Sequence, residues 1–191
     1  PCVGGIADSD ALADSAAAGT IHVFAAGNER EDAKEDSNKG APENSPHCIA
    51  VAALGSKGIF SIYSCFGANV LVTAPSSSWR EGEYGQYRGQ GIATTDRSGL
   101  SGYNPGANSN NPLPERDYTG GFGGTSSACP LVAGIMALGV QANPSLNVRM
   151  AKHLLVRSCD VVDATDQTET SDGGWKANRA GFKFNSNYGF G

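Results

Sequence analysis

Residues Gly123-Gly124-Thr125-Ser126-Ser127-Ala128-Cys129-Pro130 run straight into Leu131-Val132-Ala133-Gly134-Ile135-Met136-Ala137-Leu138. No other stretch restricts the fold as much. A tight glycine turn opening at once into an apolar run mounts a hydroxyl side chain where a loop becomes a buried helix. Ser126 then sits at the helix N-terminus, where unpaired backbone N–H groups and the positive end of the helix dipole stabilise negative charge on a bound carbonyl oxygen. A helix with no catalytic duty would use the hydroxyl of Thr125 or Ser126 as an N-cap, so the turn alone leaves both readings open.

A second stretch lies upstream. Ile21-His22-Val23-Phe24-Ala25-Ala26-Gly27-Asn28 is an apolar strand ending in Ala-Gly-Asn, and in open α/β sheets the carboxyl end of a strand is where ligands bind. Taken alone, Asn28 reads as an Asx turn. Taken in order with the Gly-Thr-Ser segment, it resembles the oxyanion-hole strand of the subtilisin-like serine proteases, and residues 123–130 resemble their nucleophile segment. The resemblance continues between the two: a strand of small and branched residues, a Tyr63-Ser64-Cys65-Phe66-Gly67 turn, and a strand ending Ala74-Pro75.

That resemblance implies an α/β, three-layer subtilisin-like fold with a mostly parallel sheet, here lacking its N-terminal part. It implies Ser126 as nucleophile and Asn28 as oxyanion-hole donor, with Gly27, Gly124 and Thr125 lining the substrate. Thr94-Thr95-Asp96 resembles a segment of the kexin- and furin-like convertases, which cut after basic residues. By that likeness Asp36 would hold a basic substrate side chain, while Lys39 and Tyr63 stand where further acids of the cleft or of a calcium site would be expected. A structural calcium is implied by the resemblance alone, and no cofactor is required for the chemistry.

A serine hydroxyl needs a general base, itself oriented by a carboxylate. The family carries these upstream in an Asp turn and a His-Gly-Thr helix start. Neither motif occurs here: the three histidines are His22, His47 and His153, and none precedes Gly-Thr. His153, mid-helix, reads as a packing or surface residue. The expectation is a serine endopeptidase in which this chain contributes nucleophile and oxyanion hole, and is nearly inactive by itself. The missing part would come from the same parent chain or a partner chain. Its substrate would be a protein or peptide, and its location secreted or cell-envelope. An esterase of the α/β-hydrolase type would need Gly-x-Ser-x-Gly around the serine, which is absent. A non-catalytic subtilase-like binding module stays as the alternative.

Composition narrows the rest. The chain has 191 residues, 39% apolar and 17% charged, enough for one core and one domain or most of one. A net charge of −5 leaves no basic footprint for nucleic acid. No long apolar span stands out as membrane-crossing. The start at Pro1, without Met, reads as a processed or excised chain. The five cysteines, Cys2, Cys48, Cys65, Cys129 and Cys159, contain no Cys-x-x-Cys, which argues against a structural zinc site. In an oxidising compartment Cys48 and Cys65 are the expected pair, and Cys129 a small core residue.

The remaining elements follow from local pattern. Alanine-rich Asp8 to Ala18, stopped by Gly19, predicts a helix. Glu29 to Asn44 is a charge-rich surface loop whose acids lack the spacing of a calcium loop. Cys48 to Leu54 and Asn69 to Pro75 are buried strands, and Phe60 to Cys65 a short one. Ser76 to Phe122 is the least regular part, with a strand in Gln90 to Asp96. The helix after Ser126 runs to about Gln141. Asn147 then caps another through about Arg157, with Val148, Ala151, Leu154 and Leu155 on one face. Residues 182–185 resemble a closing hairpin.

Overall fold

The computed structural model describes residues 6–78, 91–107 and 111–191. Cys2, Trp79 and Gln90 lie outside the described residues. Helix α1 spans Ile6–Ala17 and strand β1 His22–Ala25. Gly19, at φ 100°, makes the reversal between them. Strands β2 (Cys48–Leu54) and β3 (Val70–Pro75) complete a parallel sheet in the order β1-β2-β3. His22 pairs with Cys48 at one end and Ala25 with Val51 towards the other, so all three strands deliver their carboxyl ends to the same edge. The outer side of β3 is covered by the last residues: Phe190 N–H donates to Leu71 O at 2.8 Å, and Thr73 N–H to Gly191 O at 2.8 Å.

Helix α3 (Thr125–Ala142) packs across all three strands, and α4 (Val148–Ser158) against β2 and β3. The core between them holds Ile49, Val51, Ala53, Val72, Ala128, Val132, Met136, Ala151 and Leu155. Fully burying a branched or aliphatic side chain of this kind contributes about 1.5–3 kcal/mol. On the other face Ala26, Ala52, Cys65 and Val70 form a second cluster. Strand β2 is buried on both faces, as a central parallel strand requires, and its Cys-Ile-Ala-Val-Ala-Ala sequence accordingly shows no polar alternation. The α/β architecture with a parallel sheet agrees with the sequence reading.

Several local expectations are corrected. Residues 60–65 form no strand, only an isolated bridge of Phe60 to Leu54. Ser64 N–H turns back onto Ser61 O, and the hydroxyls of both serines are buried with backbone partners. Strand β4 (Ile92–Thr95) has an unexpected antiparallel neighbour, β5 (Tyr118–Phe122), whose Gly-Gly centre carries no strand propensity. The acidic loop contains a helical turn, α2 (Arg30–Ala33), and a 3-10 turn at Ser37–Lys39. Asn147 caps α4 as expected, accepting from Met150 N–H, but Leu154 is 48% exposed and does not join the core face. A short hairpin of β6 (Lys176–Ala177) with β7 (Lys183–Phe184) closes the chain. By length and composition α3 could cross a membrane, contrary to the sequence reading. Its inner face packs on the three strands through Ala128, Val132 and Met136, while Ile135, Leu138 and Val140 are exposed.

The expected Cys48–Cys65 bridge is absent; both thiols are free. Cys48 pairs with His22 at the amino end of the sheet, whereas Cys65 N–H bonds Gly27 O beyond its carboxyl end. Five residues of strand separate the two levels, roughly 15 Å at the usual rise and far beyond the reach of a disulfide.

Candidate active site

Two turns meet at the carboxyl edge of the sheet. The first is Gly123 to Ser127. Gly124 has φ 76°, a left-handed conformation that favours glycine, and serves as the N-cap position of α3. Its carbonyl accepts hydroxyls from Ser76 at 2.8 Å and Ser127 at 3.0 Å, and its N–H donates to Tyr63 Oη at 3.0 Å. With Thr125 and Ser127 buried at 0% and 1% exposure, the turn leaves Ser126 exposed between them.

The second turn is Gly27 to Arg30. Asn28 Oδ1 accepts from Thr125 N–H at 2.8 Å and from Thr125 Oγ1 at 3.1 Å. In return Gly27 N–H donates to Thr125 Oγ1 at 3.3 Å. The backbone donor fixes which end of the Asn28 amide is oxygen, so Nδ2 is the end left to donate. A methyl group added to Gly124 would lie 3.4 Å from Asn28 Oδ1 and 3.6 Å from both Asn28 Nδ2 and the Ser126 backbone nitrogen. The Asn28 amide and the N-terminus of α3 therefore meet beside the Ser126 turn. Gly27 has φ 105°, and a methyl there would meet Cys65 Sγ at 2.9 Å, so both conformation and space call for glycine.

Ser126, Asn28, Gly27, Gly124 and Thr125 are thus brought together from sequence positions nearly a hundred residues apart. Asp36 is engaged elsewhere. It caps the Ser37–Lys39 turn by accepting from Asn38 N–H at 2.9 Å, and its carboxylate lies over Gly67.

Tyr63, placed by the sequence where an acid would be expected, has a role that sequence reasoning missed. Its carbonyl accepts Arg30 N–H at 3.2 Å behind the Asn28 turn, while its hydroxyl accepts Gly124 N–H and donates to Ser77 O at 2.8 Å. One side chain and its own backbone therefore tie both turns together. No local signal marks it beyond its place in the Tyr-Ser-Cys-Phe-Gly turn.

Cys65 lies directly beneath the Asn28 turn, where its sulfur accepts from Glu29 N–H at 3.3 Å. Burial pushes its thiol up to about 12, and that of Cys48 to about 11. Both stay protonated at neutral pH and are poor nucleophiles. Glu29, Glu35 and Cys65 bring their ligand atoms within 4.8 Å of one another. Two carboxylates and a protonated thiol do not fit calcium, which takes six to eight hard oxygens.

The three histidines stand away from Ser126. His22 opens β1 and bonds Ser15 Oγ at 3.0 Å, and His47 precedes β2, both at the amino end of the sheet. His153 is exposed on α4.

The sequence model of the Subtilase family, peptidase S8, matches residues 3–191. A calcium-dependent protease of Trichormus variabilis is 37% identical over 155 residues, covering 81% of this chain and 22% of its own length. An extracellular serine protease of Aeromonas sobria is 37% identical over 180 residues, covering 82% of this chain and 28% of its own length. The crystal structure of the serine protease of Aeromonas sobria superposes with a TM-score of 0.79 at 28% identity, covering 100% of this chain and 39% of that one. The chain therefore spans between about a fifth and two fifths of the length of these relatives.

Proposed function

The chain belongs to the subtilase family, and from that premise we propose that it supplies the nucleophile and the oxyanion hole of a serine endopeptidase, as the C-terminal portion of one catalytic domain. The observation that carries this reading is the pair of hydrogen bonds from Thr125 to Asn28 Oδ1, which holds the Asn28 amide beside the Ser126 turn and leaves its Nδ2 as the end that donates.

Ser126 Oγ attacks the scissile carbonyl carbon and forms the C–O bond of a tetrahedral intermediate. The carbonyl oxygen takes the negative charge against Asn28 Nδ2–H and the Ser126 N–H. Collapse expels the amine with the proton taken from Ser126, and water then hydrolyses the acyl-enzyme by the reverse steps. The base that carries the proton, and the carboxylate that orients it, come in this reading from a segment outside these 191 residues. The position of His22, His47 and His153 away from Ser126 supports that division. The isolated chain is then nearly inert.

The substrate is a protein or peptide, and secretion is the expected fate, in keeping with the extracellular relative from Aeromonas. The Trichormus relative is named a calcium-dependent protease; calcium in this reading is a structural ion, and the Glu29, Glu35 and Cys65 cluster is not its cage. The test is peptide hydrolysis by the full-length protein. Ser126→Ala is expected to lower kcat by on the order of 10⁶, a magnitude that comes from a member of this same family. Retained turnover in that variant, or turnover by the isolated chain that Ser126→Ala abolishes, would overturn the reading.

A further inference from the structure

Arg30, the second residue after Asn28, is 8% exposed. Its guanidinium carbon lies 4.0 Å from the ring centroid of Phe60 and 5.0 Å from that of Phe66. Nε donates to Ser64 O, Nη1 to Thr170 Oγ1 at 2.8 Å and Nη2 to Asn187 Oδ1 at 2.6 Å. Asn187 in turn donates from Nδ2 to Asp166 Oδ2 at 2.7 Å and to Thr168 Oγ1 at 2.9 Å. Asn185 Nδ2 reaches the same Asp166 oxygen at 3.0 Å, and Asp166 Oδ1 accepts the N–H and hydroxyl of Thr168 at 2.9 and 2.8 Å. A buried cation and a buried carboxylate are thus joined through one amide, its oxygen facing the cation and its nitrogen the anion.

Burying a guanidinium costs several kcal/mol unless it is well paired, and an apolar side chain of similar volume often stabilises as well or better. What arginine adds is a rigid fork of directional donors. Here that fork grips three separate segments, at Ser64, Thr170 and Asn187, while the backbone N–H of the same residue bonds Tyr63 O. The Asn28 turn has Thr125 on one side and this grip on the other.

We infer that Arg30 is a positioning residue for Asn28, acting through the buried Arg30, Asn187 and Asp166 relay, so that the order of the C-terminal segment 166–187 is transmitted to the oxyanion hole. The inference rests on the reading of Asn28 as oxyanion donor. Arg30 itself touches no reacting atom; it holds the turn at the angle from which Nδ2 meets the developing charge. A misplacement of about 1 Å at such a donor lowers the rate by up to about a hundredfold.

The experiment is a double-mutant cycle in the full-length protein, with kcat expressed per active site titrated by an acylating inhibitor. Arg30→Met is expected to lower kcat about tenfold with KM within about twofold, Arg30→Lys by less, and Asn187→Ala, at the middle of the relay, by as much as Arg30→Met. In an Asn28→Ala background, Arg30→Met or Asn187→Ala should change kcat by less than about twofold, because the group they position is gone. A merely structural role would lower the titratable fraction and leave kcat per site unchanged, and that result would overturn the inference. Equal losses in both backgrounds would overturn it too. If Arg30→Met does not fold, Asn187→Ala decides alone. Failure of the underlying reading is seen separately, as a wild-type kcat for Asn28→Ala by itself.

Discussion

The two turns that form the site are held in different ways. Gly123 to Ser127 belongs to a helix that packs across three strands. Ser126, the proposed nucleophile, is presented by secondary structure and by neighbours such as Ser127. Gly27 to Arg30 leaves β1 with no long element to carry it, because α2 is only four residues. It is kept in place by side chains remote in sequence: Thr125, Cys65 and, through Arg30, Asn187. Presenting a hydroxyl needs a rigid helix start. Aiming an amide needs contacts on several sides, and those come from wherever the fold brings polar groups.

The contrast can be broken most severely at the donor itself. Asn28→Ala in the full-length protein is expected to lower kcat by about 10² to 10³ with little change in KM, a range established in a relative from this family. An effect confined to KM would mean that the amide binds substrate rather than the transition state. Tyr63→Phe is the next largest, since its hydroxyl joins the two turns. Gly124 N–H would lose its acceptor, at about 1–3 kcal/mol of stability, and kcat should fall about tenfold. An unchanged melting temperature would place Gly124 N–H in another bond.

Asp166 tests the tail side. Burial opposes its ionisation, but hydrogen bonds from Thr168, Asn187 and Asn185 outweigh burial and hold the carboxyl below its usual range. A lowered folded value contributes stability that is complete above about pH 4, the unfolded value. That contribution is lost as the pH falls through the folded value. Asp166→Asn should therefore lower the melting temperature at pH 7, and the difference from wild type should shrink as the pH falls from about 4 downwards. A difference independent of pH would show that shape, and not charge, matters there. The smallest effect is expected at Asp36, whose carboxylate is spent on Asn38 N–H. Asp36→Asn should change kcat/KM for peptides with Arg or Leu before the cut equally, within about twofold. A loss confined to the Arg peptide would give Asp36 a place in the cleft.

The long apolar elements were legible because their patterns are local. Strands β2 and β3 are runs that only a buried strand accommodates, and α3 and α4 carry their start signals at Gly124 and Asn147. The segment 60–65 misled because Ile62 and Tyr63 between serines imitate strand alternation, while Ser61 and Ser64 are in fact buried and bonded to backbone. The Cys48 and Cys65 pairing failed for a related reason: distance along the chain says nothing about which end of a sheet a residue reaches.

By itself the order of residues determined a hydroxyl at the head of an apolar helix, an Asn after a buried strand, and a parallel α/β frame. Those follow from turn conformation and hydrophobic pattern, which act over a few residues. Only the tertiary structure decided that Thr125 holds the Asn28 oxygen, that Tyr63 spans both turns, and that Arg30 is buried against the tail. Hydrogen bonds and desolvated charges depend on what lies within about 3 Å in space, and here those neighbours lie up to 157 residues apart.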